Sequence, residues 1–126
     1  MQTRAMRCLE ALYPNVAQRA TRFVSALFER ARRNERHYAG IMSRHCGDPS
    51  GVEFRHLTWQ RWGVILPDAS VPGKTRIQYF TPFGMSKHDT LATLEEAVEA
   101  LVEGGYVIED AGALDRMFVR WQPQAA

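Results

Sequence analysis

The chain has 126 residues, 45 % of them hydrophobic and 24 % charged, with a formal net charge of +2 and two cysteines. That length suits a single domain able to bury a core without disulfide staples, and the composition excludes the disordered class. No apolar run approaches the roughly 18 residues that span a bilayer, Met1-Gln2-Thr3-Arg4 leads into no signal-peptide core, and Cys8 and Cys46 form no disulfide framework, so a cytoplasmic protein with free thiols is expected.

Ala5, Met6, Leu9, Leu12 and Tyr13 have helical spacing until Pro14, which lacks an amide donor, so a first helix should end near Leu12. Asn15 with Gln18 forms a capping box, and Val16, Ala20, Phe23, Val24, Leu27, Phe28 and Ala31 follow as one apolar stripe, predicting a main N-terminal helix. Asn34 is a point of breakage or bending, after which Tyr38, Ile41, Met42 and His45 resume the helical period. Gly47-Asp48-Pro49-Ser50-Gly51 is the strongest punctuation in the chain and divides a helical half, residues 1–46, from a mixed half, residues 52–121.

Val52 to Trp59 reads as a strand, with Ser50 and Glu53 offering a helix cap as the alternative; Trp62, Val64 and Leu66 alternate more clearly. Lys74 to Phe80 is β-branched and aromatic, Pro82-Phe83-Gly84 turns it, and a hairpin follows. Thr93-Leu94-Glu95-Glu96 has capping-box form, and Leu94, Ala97, Val98, Leu101 and Val102 make one apolar helical face before Gly104-Gly105 ends it. Tyr106-Val107-Ile108 starts another strand. Met117, Val119 and Trp121 alternate and predict a last strand, preceded by one helical turn at Ala113 to Arg116. The expected fold class is α+β: N-terminal helices packed on a small antiparallel sheet crossed by one further amphipathic helix, in a single domain over residues 1–126.

The small net charge hides an asymmetry. Residues 1–46 carry nine arginines, no lysine and three glutamates, an excess of six positive charges; the remainder has seven basic and eleven acidic residues. Opposite signs suit attraction within one chain or across a homodimer, or a polyanionic partner for the basic half. Arg19, Arg22, Arg30 and Arg33 gather opposite the apolar stripe, with Glu29 placed to pair with Arg33, while Arg32 and Arg36 extend the edge. Trp59, Trp62, Tyr79 and Phe80 offer stacking faces for unpaired bases.

Pro72-Gly73-Lys74-Thr75-Arg76, Gln78-Tyr79-Phe80, Gly84-Met85-Ser86, His88, Glu96-Ala97, Gly104-Gly105-Tyr106 and Leu114-Asp115 form a pattern that resembles a module of small uncharacterised proteins carried by plasmids, phages and integrative elements. A looser similarity joins Tyr38, Met42, Arg44, Cys46, Asp48, Gly51, Leu57 and Pro67 to the plasmid anti-restriction proteins. The resemblance implies an accessory factor of a mobile element that binds and blocks a host defence complex, of anti-CRISPR or anti-restriction type, with no catalytic residues to carry over.

Catalytic and metal chemistry find little support. His45 and Cys46 are adjacent and diverge by about 100° on a helix, and His37, His56 and His88 make no ligand pattern, so no metal or other cofactor is expected. Cys46 with His45 or His56 as base would sit at a helix C-terminus, which disfavours a thiolate. In Lys87-His88-Asp89, strand alternation turns His88 and Asp89 to opposite faces. The function expected first is therefore non-enzymatic binding of a host protein or nucleoprotein complex; the alternative is a small nucleic-acid-binding protein using the arginine-rich helix. Membrane binding is not expected. The candidate binding surface comprises Arg19, Arg22, Arg30, Arg33, Lys87, His88, Glu95, Glu96, Glu99 and Glu103.

Overall fold

The computed structural model describes residues 2–121 and has the α+β class, with helices and an antiparallel sheet in two compact units, Met1–Gly47 and Asp48–Ala126. The boundary falls at the Gly47 to Gly51 punctuation. Among the described residues, no helix is long and apolar enough to cross a membrane.

The first unit is three helices: α1 (Arg4–Leu12), α2 (Val16–Arg19) and α3 (Arg22–Arg44). Thr3 caps α1 by accepting from the Met6 amide at 3.3 Å, and its own amide donates to Glu35 Oε2 at 2.9 Å, tying the start of α1 to the middle of α3. Met6 packs with Val24, Phe28 and Ala31 of α3, flanked by Leu9 and Tyr13. Of the expected Asn15 and Gln18 capping box, the Gln18 arm forms, with Gln18 Oε1 accepting from the Asn15 amide at 3.2 Å. The stripe from Val16 to Ala31 is not one helix, however. It breaks at Ala20-Thr21, where Thr21 becomes the N-cap of α3, leaving Val16 and Phe23 exposed. Asn34, by contrast, interrupts nothing: α3 runs unbroken for 23 residues because buried Ala31, Tyr38 and Ile41 carry its apolar face past that point.

The second unit is built on a five-stranded antiparallel sheet of β1 (Glu53–His56), β2 (Trp62–Pro67), β3 (Thr75–Thr81), β4 (Gly84–Leu91) and β5 (Tyr106–Glu109), in the order β4-β3-β2-β1-β5. Phe54 pairs with Gly63 and Gly63 with Tyr79, so alternation aligns these three, with Ile65 and Ile77, on one face. Helix α4 (Leu94–Glu103) covers that face with buried Ala97, Val98, Leu101 and Val102. Its approach explains Gly63: a Cβ there would lie 2.6 Å from Leu101 Cδ2. The Thr93 hydroxyl accepts from Glu96 N at 3.1 Å, while Glu96 reaches past the cap residue to the Ala92 amide at 3.3 Å.

Trp62, Val64 and Phe80 point to the other face, and here the expectation of a terminal strand fails. Residues Ala113–Trp121 form helix α5, with buried Ala113 and Met117 against those three side chains. Met117 and Trp121 are four residues apart as well as being members of an alternating set, and the helical period prevails because Ala113, Met117 and Trp121 then share one face. Buried Glu53 accepts from the Leu114 amide at 2.9 Å, capping the first turn of α5 from 61 residues away. The Val52 to Trp59 strand is realised only at Glu53–His56, and residues 57–60 bend away.

Asp68 closes the β2–β3 turn. Its carboxylate accepts from the amides of Ser70 and Val71, both at 2.8 Å, from the Thr90 hydroxyl at 2.8 Å and from Arg76 Nε at 3.4 Å. These donors, the Val71 amide first, hold its carboxyl well below the usual carboxylate range.

Candidate functional site

On α3 of the helical unit the charged surface is one-sided. At 100° per residue, Arg22, Arg30, Arg32, Arg33, Arg36 and Arg44 of α3 fall within about 160° of arc, opposite buried Val24, Phe28 and Ala31. All six are exposed, and the row from Arg22 to Arg44 extends about 33 Å along the axis. Of the unit's three glutamates, Glu10 takes the Gln2 amide and Glu35 the Thr3 amide, so only Glu29 lies within the arginine arc. Glu29 forms no ion pair with Arg33, and among the described residues Arg22, Arg30, Arg32, Arg33 and Arg36 make no hydrogen bond or ion pair. The charge density registers on His37, at the flank of this face: burial first, then Arg33, Arg36 and Arg44, hold its imidazole below its ordinary pKa. Arg19 stands apart from the face. Its Nε donates to the Tyr13 carbonyl at 2.7 Å and its guanidinium covers the Phe28 ring at 4.9 Å, which makes it a packing residue.

In the sheet unit the charged side chains disperse. His88 is exposed on β4 opposite Gln78, turned away from Asp89 as alternation requires. Of the α4 glutamates, Glu96 serves the helix start, whereas Glu95, Glu99 and Glu103 lie four residues apart along one edge, with Glu95 and Glu103 exposed. Trp62, Tyr79 and Phe80 are buried and unable to stack with a ligand; only Trp59 of the four expected aromatics is exposed, at 59 %. Among the described residues, no three His, Cys, Asp or Glu side chains converge to hold a metal ion. Both cysteines are free and exposed, and Cys46 takes a positive φ of 54° just past the end of α3, where it is a surface residue and not part of a core.

No family model, curated protein or solved structure matches this chain.

One grouping is not apparent from sequence. At one end of the sheet, two adjoining depressions of about 260 and 250 Å³ share Arg61 and Thr81. A β-bulge builds part of this end: β3 and β4 pair at Gln78 with His88 and at Phe80 with Met85, so Ser86 and Lys87 together oppose Tyr79. Lys87 Nζ rests 4.9 Å from the Tyr79 ring centre. Tyr79 packs on Tyr106 at 5.0 Å, and Tyr106 meets the His56 ring edge-on at 5.2 Å. Burial first, and then Asp89, which takes the Tyr79 hydroxyl hydrogen, push the Tyr79 phenol above its usual range. His56 Nδ1 accepts from the amides of Thr58 and Trp59 at 3.0 and 3.1 Å, which places the hydrogen of the neutral ring on Nε2 and fixes the 57–61 loop. Gly105, with φ +88°, passes so close that a Cβ would lie 2.9 Å from His56 Nε2.

Proposed function

We propose that this protein acts by binding, without catalysis, and that the arginine face of α3 is its contact for the phosphates of a nucleic acid, free or within a nucleoprotein complex. The observation that carries this reading is the one-sidedness of α3: six exposed arginines on one arc, with the two other glutamates of the unit occupied elsewhere. Guanidinium groups match phosphate geometry and keep their charge at any physiological pH. A face whose charge is six arginines against the single Glu29 positions a backbone and reads no base edges, so binding should be insensitive to sequence and steeply dependent on salt. The proposed setting is a mobile genetic element, on the resemblance of the hairpin and α4 sequence to modules of such elements.

The test is fluorescence anisotropy with a labelled DNA duplex over a range of salt concentrations. Replacing Arg22, Arg30, Arg33 and Arg36 by Gln should flatten the slope of log K against log salt by about 0.9 for each phosphate that the variant no longer neutralises. Unchanged affinity and slope in a folded variant would remove the reading.

The expectation of a protein-binding inhibitor of host defence stays as a second proposal, favoured by the row of Glu95, Glu99 and Glu103, carboxylates about 6 Å apart along α4 that present a phosphate-like edge. Affinity capture from nuclease-treated host lysate separates the two. A stoichiometric protein that survives nuclease and disappears on alanine substitution of Glu95, Glu99 and Glu103 supports the inhibitor; recovery of nucleic acid alone supports the arginine face.

A further inference from the structure

We infer that the trough at the end of the sheet is a second site, which holds unpaired nucleotides of a single-stranded nucleic acid by stacking on Trp59 and Phe83 and by pairing phosphate with Arg61 and Lys87. It goes beyond the arginine face and stands on the geometry of the sheet unit alone.

The first observation is the presentation of the two aromatics. Trp59 and Phe83 line the same depression and are 59 % and 93 % exposed. Neither sits on a slack loop. The 57–61 segment is fastened by His56 Nδ1, by the Leu57 amide to the Gly105 carbonyl at 3.0 Å and by the His56 amide to the Arg61 carbonyl at 2.8 Å. The Pro82-Phe83 turn is fastened by the Trp121 indole, which donates to the carbonyls of Thr81 and Pro82 at 3.2 and 3.0 Å, and by the Phe83 amide to Thr81 Oγ1 at 3.1 Å. Rigid turns that hold large apolar rings in water are preorganised for a flat ligand, because the ordering cost is met before the ligand arrives.

The second observation is charge. Arg61 lies where the two depressions meet, and Lys87 is placed in the adjoining one by the β-bulge and by the Tyr79 ring beneath it. Among the described residues, no carboxylate lines either depression. Two cations beside two exposed aromatic faces are the elements by which single strands are held without sequence preference, base on ring and phosphate on cation. An apolar protein segment would use the rings and leave the cations unmatched; an acidic peptide would use the cations and gain little from the rings.

The experiment uses the full chain carrying Arg22→Gln, Arg30→Gln, Arg33→Gln and Arg36→Gln, so that the α3 face keeps only Arg32 and Arg44 of its six arginines, and a fluorescein-labelled oligothymidylate at low salt. Expected are retained binding with quenching of indole emission, a loss of about 5- to 100-fold for Trp59→Ala or Phe83→Ala, and near-complete rescue by Phe83→Tyr but not by Phe83→Leu. Arg61→Gln with Lys87→Gln should flatten the salt dependence. The inference is overturned if oligothymidylate does not bind this background, if folded Trp59→Ala and Phe83→Ala bind as before, if Phe83→Leu matches Phe83→Tyr, or if polyglutamate competes as well as oligothymidylate. Failure of the α3 reading would instead show as unchanged duplex binding in the four-arginine variant.

Discussion

The Trp62 indole donates to Asp110 Oδ2 at 2.8 Å, and the same carboxylate receives Arg116 at 2.8 Å from the first turns of α5. Trp62 stacks on Phe80 at 5.6 Å beneath that helix, so one acid fastens the sheet, the turn after β5 and α5 together. Burial opposes ionisation of Asp110, but Arg116 and Trp62 outweigh it and bring the carboxyl below its ordinary value. Asp110→Ala leaves a part-buried indole N–H without its acceptor and should cost about 1–3 kcal/mol, whereas Trp62→Phe keeps the stack and should cost closer to about 1 kcal/mol for the missing bond. Urea unfolding of both variants measures the difference.

Asp68 gives an acid-sensitive turn. Its carboxyl titrates lower in the folded chain than in the unfolded one, so the unfolded state binds the proton more readily, and the contribution to stability is whole above about pH 4 and declines as pH falls further. Asp68→Asn should lower stability at neutral pH and flatten its fall in acid. Urea midpoints measured across the acid range read both effects; an acid limb as steep as that of the parent chain would contradict this account.

His37 is a built-in reporter for the arginine face. Removing Arg33 and Arg36 should raise its pKa toward the ordinary histidine value, and a polyanion bound across α3 should raise it further by favouring the imidazolium. Proton NMR titration of the His37 ring, with and without duplex DNA, gives the sign directly.

At Gly63 the sheet and α4 meet too closely for a methyl group. Gly63→Ala should cost about 1–3 kcal/mol, since the Leu101 side chain and the Tyr79 ring at 3.3 Å must both give way. Leu101→Ala should relieve part of that cost, so the double variant should be more stable than the sum of the single effects requires, which a double-mutant cycle by thermal unfolding measures.

The elements that sequence makes legible are those whose signal is local. The Thr93 cap, the apolar spacing of Leu94 to Val102 and the turn at Pro82-Phe83-Gly84 each specify their own neighbourhood, and α4 and the hairpin form as expected. Helix α5 reads wrongly as a strand because Met117, Val119 and Trp121 fit two periods, and what decides between them, the Trp62 and Phe80 surface together with the Glu53 cap, lies tens of residues away. By angle alone Arg19 groups with the α3 arginines, yet the break at Ala20-Thr21 takes it off that helix and onto Phe28. The trough is invisible in sequence for the same reason as α5. It draws on the β1–β2 loop, the β3–β4 turn and the bulge opposite Tyr79, and no single stretch announces them as one surface.

Both exposed thiols, Cys8 and Cys46, belong to the helical unit, and all three tryptophans, Trp59, Trp62 and Trp121, belong to the sheet unit. The natural sequence thus carries separate optical handles. A dye coupled to the cysteines follows the helices while indole emission follows the sheet, and coincidence or separation of the two melting curves measures directly how far the units share one cooperative transition.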